Sequence, residues 1–182
     1  WEFYEFRNLI ERDISFQNIK IWNGENLEQS NILVTCEQGL GDVLQFSKFL
    51  LNLSPICKRI DFLLYDKLLP IYKKKIKNIK VCEKKEITES NYDYKISLGS
   101  LNKYFYKSKN SKSSDLINFD NNKKNISNLI LRSDKKNIGS VWSGNFFGPK
   151  EPSRSIKLKN FQKILGLDLN FYSFQNEIWL RD

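Results

Sequence analysis

The residues best equipped for chemistry fall in two short loops. The first reads Glu37-Gln38-Gly39-Leu40-Gly41-Asp42 and sets a carboxylate directly after a glycine pair. Such an acid can take a proton from a hydroxyl, and glycines beside it permit a tight turn and close backbone approach to a ligand. The second loop runs from Ser143 to Ser155. It offers the hydroxyls of Ser143, Ser153 and Ser155, the amide of Asn145, backbone N–H groups near Gly144 and Gly148, and the cations Lys150 and Arg154. These groups at the start of a helix suit a diphosphate, which Arg154 can hold through two oxygens at once. Each loop also has a plainer reading. Gly39 and Gly41 can simply shape a turn that Asp42 caps, and Arg154 can pair with Glu151 while the prolines stiffen the loop.

Several chemistries are excluded by residue type. The chain holds no His, which removes Ser-His-Asp triads, Cys-His pairs and His-ligated metals. Cys36, Cys57 and Cys82 are far apart, without a C-x-x-C pair, and read as small apolar core groups in a reducing cytoplasm. Neither a metal nor a cofactor is expected. The glycine pair is not a full dinucleotide fingerprint, because Leu44 stands where a third glycine belongs. No Lys-Ser/Thr pair follows it, so it is not a P-loop either.

The elements that must carry these loops are legible from periodicity. Ile32, Leu33 and Val34 form an apolar run fit for a buried strand. From Val43 to Leu53, apolar residues recur at helical spacing. Strand, glycine turn and helix make the opening unit of a Rossmann-like lobe, in which ligands sit at the carboxyl ends of the strands. Residues 58–65 predict a second strand, Asp66–Ile76 a helix with Pro70 in its first turn, Ile79–Cys82 a third strand and Tyr92–Leu98 a fourth. Alternating strands and helices predict a parallel sheet. Residues 107–128 are rich in Ser, Asn and Lys and read as a loop or linker, with a docked segment around Leu116–Phe119. A second unit follows: a strand at Asn137–Trp142, a helix at Leu158–Leu165 and a strand at Leu169–Phe174. The expected division is a helical and turn lead-in over 1–30, a lobe over 31–128, and a truncated start of another lobe over 129–182. Trp22 reads as a packing anchor in the turn that follows Ile21.

The chain has 182 residues, 40% hydrophobic and 28% charged, as in globular proteins. No apolar run nears the length needed to span a bilayer, which leaves peripheral membrane contact open. The opening WEFYEFRNLIERD has no signal-peptide pattern, and its start without Met reads as a piece of something longer. Residues 66–136 carry 18 Lys/Arg against 8 Asp/Glu within a net charge of +9. A solvated basic face is the expectation. The aromatics among the lysines fit a core better than a base-stacking platform, so no nucleic-acid partner is expected.

Two motifs together carry a family resemblance. EQGLGD with VLQF after a strand, and VWSGN followed by SRSI, resemble the bacterial glycosyltransferase-like domains that follow tetratricopeptide repeats. Those are relatives of the lipopolysaccharide heptosyltransferases. Trp1, Tyr4, Glu5 and Arg7 at the start, and Trp22, Gly24, Glu25 and Leu27 in the turn, fit the same pattern. The resemblance implies a GT-B fold of two Rossmann-like lobes and metal-independent transfer from a nucleotide-sugar to a glycan or protein acceptor. Asp42 would be the general base, with Glu37, Gln38, Gly39, Gly41 and Gln45 near the acceptor. Ser143, Gly144, Asn145, Lys150, Arg154 and Ser155 would hold the donor phosphates. The sequence departs from the family in having FFGPKEP after WSGN, and it ends before the family's later donor-pocket loop. An isolated chain of this extent is therefore expected to be inactive. A non-catalytic module that recognises a glycan or a protein is the other reading.

Overall fold

A computed structural model describes residues 5–6, 16–37, 39–73, 75–108, 115–117, 132, 134–144 and 155–175. The chain divides into two compact units, Trp1–Asn121 and Asn122–Asp182. The first unit is α/β and carries a six-stranded sheet in the order β1-β6-β2-β3-β5-β4. Its strands are β1 (Lys20–Ile21), β2 (Asn31–Thr35), β3 (Arg59–Leu63), β4 (Lys75–Ile76), β5 (Ile79–Cys82) and β6 (Tyr94–Ser97). Every pairing is parallel except β4 with β5, a hairpin at the sheet edge. This mostly parallel α/β architecture is compatible with a Rossmann-like fold.

β2 is central because it is apolar on both faces. Ile32, Leu33 and Val34 are each 0% exposed, as expected of a parallel strand covered on both sides. Ile32 and Val34 pair in register with Ile60 and Phe62 of β3, and Val34 with Ile96 of β6. That face meets Val43, Phe46, Phe49, Leu50 and Leu53 from the connection to β3. Each such side chain contributes about 1.5–3 kcal/mol when fully buried. On the opposite face Leu33 packs with Ile19 and Tyr92 in a smaller cluster.

The expected helix from Val43 to Leu53 forms with a tighter middle. It comprises α1 (Leu40–Phe46), a 3-10 turn at Ser47–Phe49, α2 (Leu50–Leu53) and a second 3-10 turn at Ser54–Ile56. The buried Ser47 hydroxyl donates to the Leu44 carbonyl three residues back at 3.4 Å. Such local bonding by serine competes with the regular helical ladder. Pro55 closes the run in the first turn of the last piece.

The expected helix over Asp66–Ile76 does not form. A 3-10 helix spans Asp66–Ile71, and the chain is extended at Tyr72 and again in β4. Pro70 inside it lacks the N–H that a regular helix needs there. Tyr72 is drawn into the core instead: its hydroxyl donates to Ser47 Oγ at 2.9 Å. The backbone of Tyr72 bridges Ile117, and Leu116 and Ile117 are buried, so the docked segment is present over its described residues. Asn118 and Phe119 lie outside the described residues.

The lead-in is not separate from the sheet, because β1 pairs with β6. Trp22 is buried behind it, its indole N–H donating to the Glu25 carbonyl at 2.8 Å and its ring 4.3 Å from that of Tyr104. Gly24 has φ +102°, a left-handed value that favours glycine. After β6 a 3-10 turn at Leu98–Ser100 leads into α3 (Leu101–Phe105), a helix that the periodicity reading leaves out.

Over its described residues the second unit is a strand-helix-strand arrangement. β7 (Asn137–Ser140) and β8 (Asn170–Ser173) pair in parallel, joined through a 3-10 turn at Leu158–Phe161 and α4 (Gln162–Leu165). The loops after β2 and β7 thus belong to separate sheets. Among the described residues, no helix is long and apolar enough to cross a membrane.

Candidate functional site

The sheet order locates the site. From β2 the chain moves outward through β3 and β5, and then returns to place β6 on the other side of β2. Strand order therefore reverses beside β2, and an open α/β sheet has a crevice at the carboxyl ends of the strands at such a point. A cleft lies there, lined by Cys36, Glu37, Asp42, Val43, Phe46, Leu98 and Gly99. Cys36 and Glu37 follow β2, and Leu98 and Gly99 follow β6.

The cleft is a shallow indentation with an internal volume of about 10 Å³. That is below the roughly 300–1,000 Å³ of pockets that enclose a whole drug-sized ligand. Asp42 is the acid in the first turn of α1, where its charge also suits the helix dipole. No hydrogen bond or ion pair engages its carboxylate among the described residues.

The glycines act differently from their expected use. Gly39 is the N-cap of α1 in an extended conformation, φ −61° and ψ 163°, which any residue adopts. A Cβ at Gly39 would meet Asp42 Oδ2 at 3.4 Å, an ordinary contact, and one at Gly41 would meet nothing within 4 Å. The turn therefore does not require glycine for its conformation. The missing side chains leave the backbone beside Asp42 open.

Cys36 carries no nucleophile. Burial first, and then the Glu37 charge, push its thiol far above the usual range, so it stays protonated. Its carbonyl accepts from Tyr65 Oη at 3.2 Å, which ties the end of β2 to the segment after β3. On the other wall α1 is held by Tyr72, through Ser47 Oγ and the Val43 carbonyl.

The sequence-based site residues therefore separate. Asp42 and Glu37 line the cleft, Gly39 and Gly41 flank it, and Gln45 lies exposed on α1 outside the lining. Gln38 lies outside the described residues. Cys36, Val43, Phe46, Leu98 and Gly99 complete the lining without having been singled out. Gly99 had a signal: SLGSL after the alternating Tyr94–Ser97 strand repeats the pattern of a strand followed by a glycine turn and a helix.

In the second unit, Asn145, Lys150 and Arg154 lie outside the described residues, as do Gly148 and Ser153. Ser143 is buried, and its backbone N–H donates to Gln175 Oε1 at 3.1 Å. Gln175 Nε2 donates back to the Ser143 carbonyl at 3.2 Å. The Gly144 N–H donates to Ser155 Oγ at 3.0 Å. Ser143, Gly144 and Ser155 are thus brought together, but those two N–H groups are occupied within the protein. The Ser143 hydroxyl is buried and has no partner among the described residues.

Among the described residues, no group of three His, Cys, Asp or Glu is placed to hold a metal ion. Of the aromatics that lie among the lysines, Tyr72 and Tyr92 are buried, Tyr104 and Phe105 are half-buried and Tyr106 is exposed. Comparison with protein-family models, with curated proteins and with solved structures finds no match.

Proposed function

We propose that this chain forms the acceptor-side part of an inverting glycosyltransferase that uses a nucleotide-sugar donor. The observation that carries this reading is the Asp42 carboxylate, unpaired among the described residues, in the cleft where strand order reverses beside β2. The family resemblance of EQGLGD and of VWSGN with SRSI supports it. In the proposed step, Asp42 takes the proton from an acceptor hydroxyl as its oxygen bonds to the anomeric carbon. The bond from that carbon to the diphosphate breaks, and the nucleotide leaves with the electron pair. Arg154, with Lys150, would neutralise the departing charge. A GT-B arrangement of two Rossmann-like lobes, the second begun by β7 and β8, belongs to the same proposal.

The test is nucleotide release by the longest native form of the protein, supplied with a panel of nucleotide-sugars and glycan acceptors. Asp42→Asn should lower turnover by about a hundredfold or more while leaving donor affinity near its original value. Near-normal turnover by the variant would remove Asp42 from the mechanism. The other reading is a module that recognises a glycan or a protein without turning anything over. Glycan binding in the absence of any donor binding would favour that reading.

A further inference from the structure

The opposite end of the same sheet holds a second feature, independent of the transferase reading. An open groove of about 560 Å³ lies at the amino ends of β2, β3 and β5. Five cations line it: Lys58, Arg59, Lys75, Lys77 and Lys80. Two of these are paired. Arg59 holds Asp61 through two bonds of 2.8 and 2.6 Å, and Lys80 holds Glu86 at 2.6 Å. Lys58, Lys75 and Lys77 are exposed and have no carboxylate partner among the described residues.

The backbone beneath these lysines is fixed. Asn78 Nδ2 donates to the carbonyls of Ser54, Cys57 and Lys58 at 3.0, 2.7 and 3.3 Å, and its Oδ1 accepts from Ser54 Oγ. This one amide clips the β4–β5 turn to the segment before β3. Lys58 and Lys77 are thereby held on neighbouring turns. Lys77 has φ +52°, a left-handed value that is uncommon for a side chain of this kind. The two-residue turn between β4 and β5 calls for such a value. Asn31 also lines the groove, its Nδ2 donating to the Asn91 carbonyl at 3.1 Å.

We infer that this groove binds a soluble ligand bearing two or three closely spaced phosphates. Three uncompensated ammonium groups around one concavity match that charge density. The concave shape favours a small molecule over a flat membrane surface. Among the described residues no aromatic side chain lines the groove, so none of them stacks the bases of a single strand there.

The test titrates the full chain with inorganic tripolyphosphate by calorimetry at low and at physiological salt. The variant Lys58→Gln/Lys75→Gln/Lys77→Asn, whose last change keeps a residue tolerant of the left-handed turn, should weaken binding at least about tenfold. A control with equal charge loss elsewhere, Lys67→Gln/Lys103→Gln/Lys107→Gln, should stay within about twofold. Asp42→Asn should leave the affinity unchanged, which separates this site from the proposed active site. Absence of tripolyphosphate binding, or equal weakening in both triple variants, overturns the inference. So does retention on phosphatidylglycerol vesicles or on single-stranded RNA that tripolyphosphate does not displace.

Discussion

Asp42 and Asp61 show how place decides the work of a carboxylate. Asp42 sits at a helix start in a solvent-open cleft, so it is available to a ligand. Asp61 points from the centre of the sheet and is 2% exposed, against 45% for its partner Arg59. It accepts from Arg59 and from Tyr92 Oη at 2.7 Å, so its charge is fully engaged. The asymmetry in exposure predicts an asymmetry in cost. Arg59→Leu strands a buried carboxylate and should destabilise the first unit by about 2–3 kcal/mol. Asp61→Asn keeps the shape and an acceptor for Tyr92 while the exposed guanidinium returns to water, and should cost nearer 1 kcal/mol. Urea unfolding of both variants checks the order; a larger loss for Asp61→Asn would show that the buried charge is not the controlling quantity.

At the scale of elements, packing overrides local propensity in two places. The segment after Tyr65 has enough apolar residues for a helix, yet Tyr72 leaves it to reach Ser47 and cover α1. The β4–β5 hairpin turns on Lys77-Asn78 without a glycine, and the Asn78 amide holds that turn in place. Asn78→Ala removes an amide whose two N–H groups serve three carbonyls and whose oxygen accepts from Ser54 Oγ. It should cost about 2–3 kcal/mol in urea unfolding, and it should loosen the lysines enough to weaken tripolyphosphate binding as well. A loss under about 0.5 kcal/mol would mean that the strand pairing alone holds the hairpin.

For the molecule as a whole, the thiols set a limit at alkaline pH. Burial raises Cys57 to about 11 and Cys82 to about 12 from an ordinary value of 9.0. Cys36 rises too, through burial and the Glu37 charge, and Tyr92 through burial and its bond to Asp61. The unfolded chain gives up thiol protons near pH 9 while the folded chain keeps them. These groups therefore favour the folded state fully below about pH 9, and their contribution is lost as pH climbs toward 11–12. Urea midpoints should fall steadily between about pH 8.5 and 10.5, and a Cys57→Val/Cys82→Val variant should flatten that fall. A midpoint that stays level over this interval in the original chain would contradict the assignment.

The order of residues was enough to place β2, β5 and the helical turn that carries Asp42, because apolar runs and helical spacing are local and strong. It was enough, too, to mark Trp22 as an anchor, since a large ring beside a glycine turn has few other uses. Three things depended on the assembled sheet. The reversal of strand order beside β2 arises from which strands pair, so only the fold shows that Leu98 and Gly99 share a cleft with Asp42. The conformational need for glycine fell on Gly24 instead of Gly39 and Gly41, because backbone angles answer to the path of the whole turn. Lys75, Lys77 and Lys80, from the stretch that read as a solvated face, meet Lys58 and Arg59 in one groove because parallel strands bring residues far apart in the chain to the same end of a sheet. Local pattern is written in neighbours along the chain, whereas a site is made of neighbours in space.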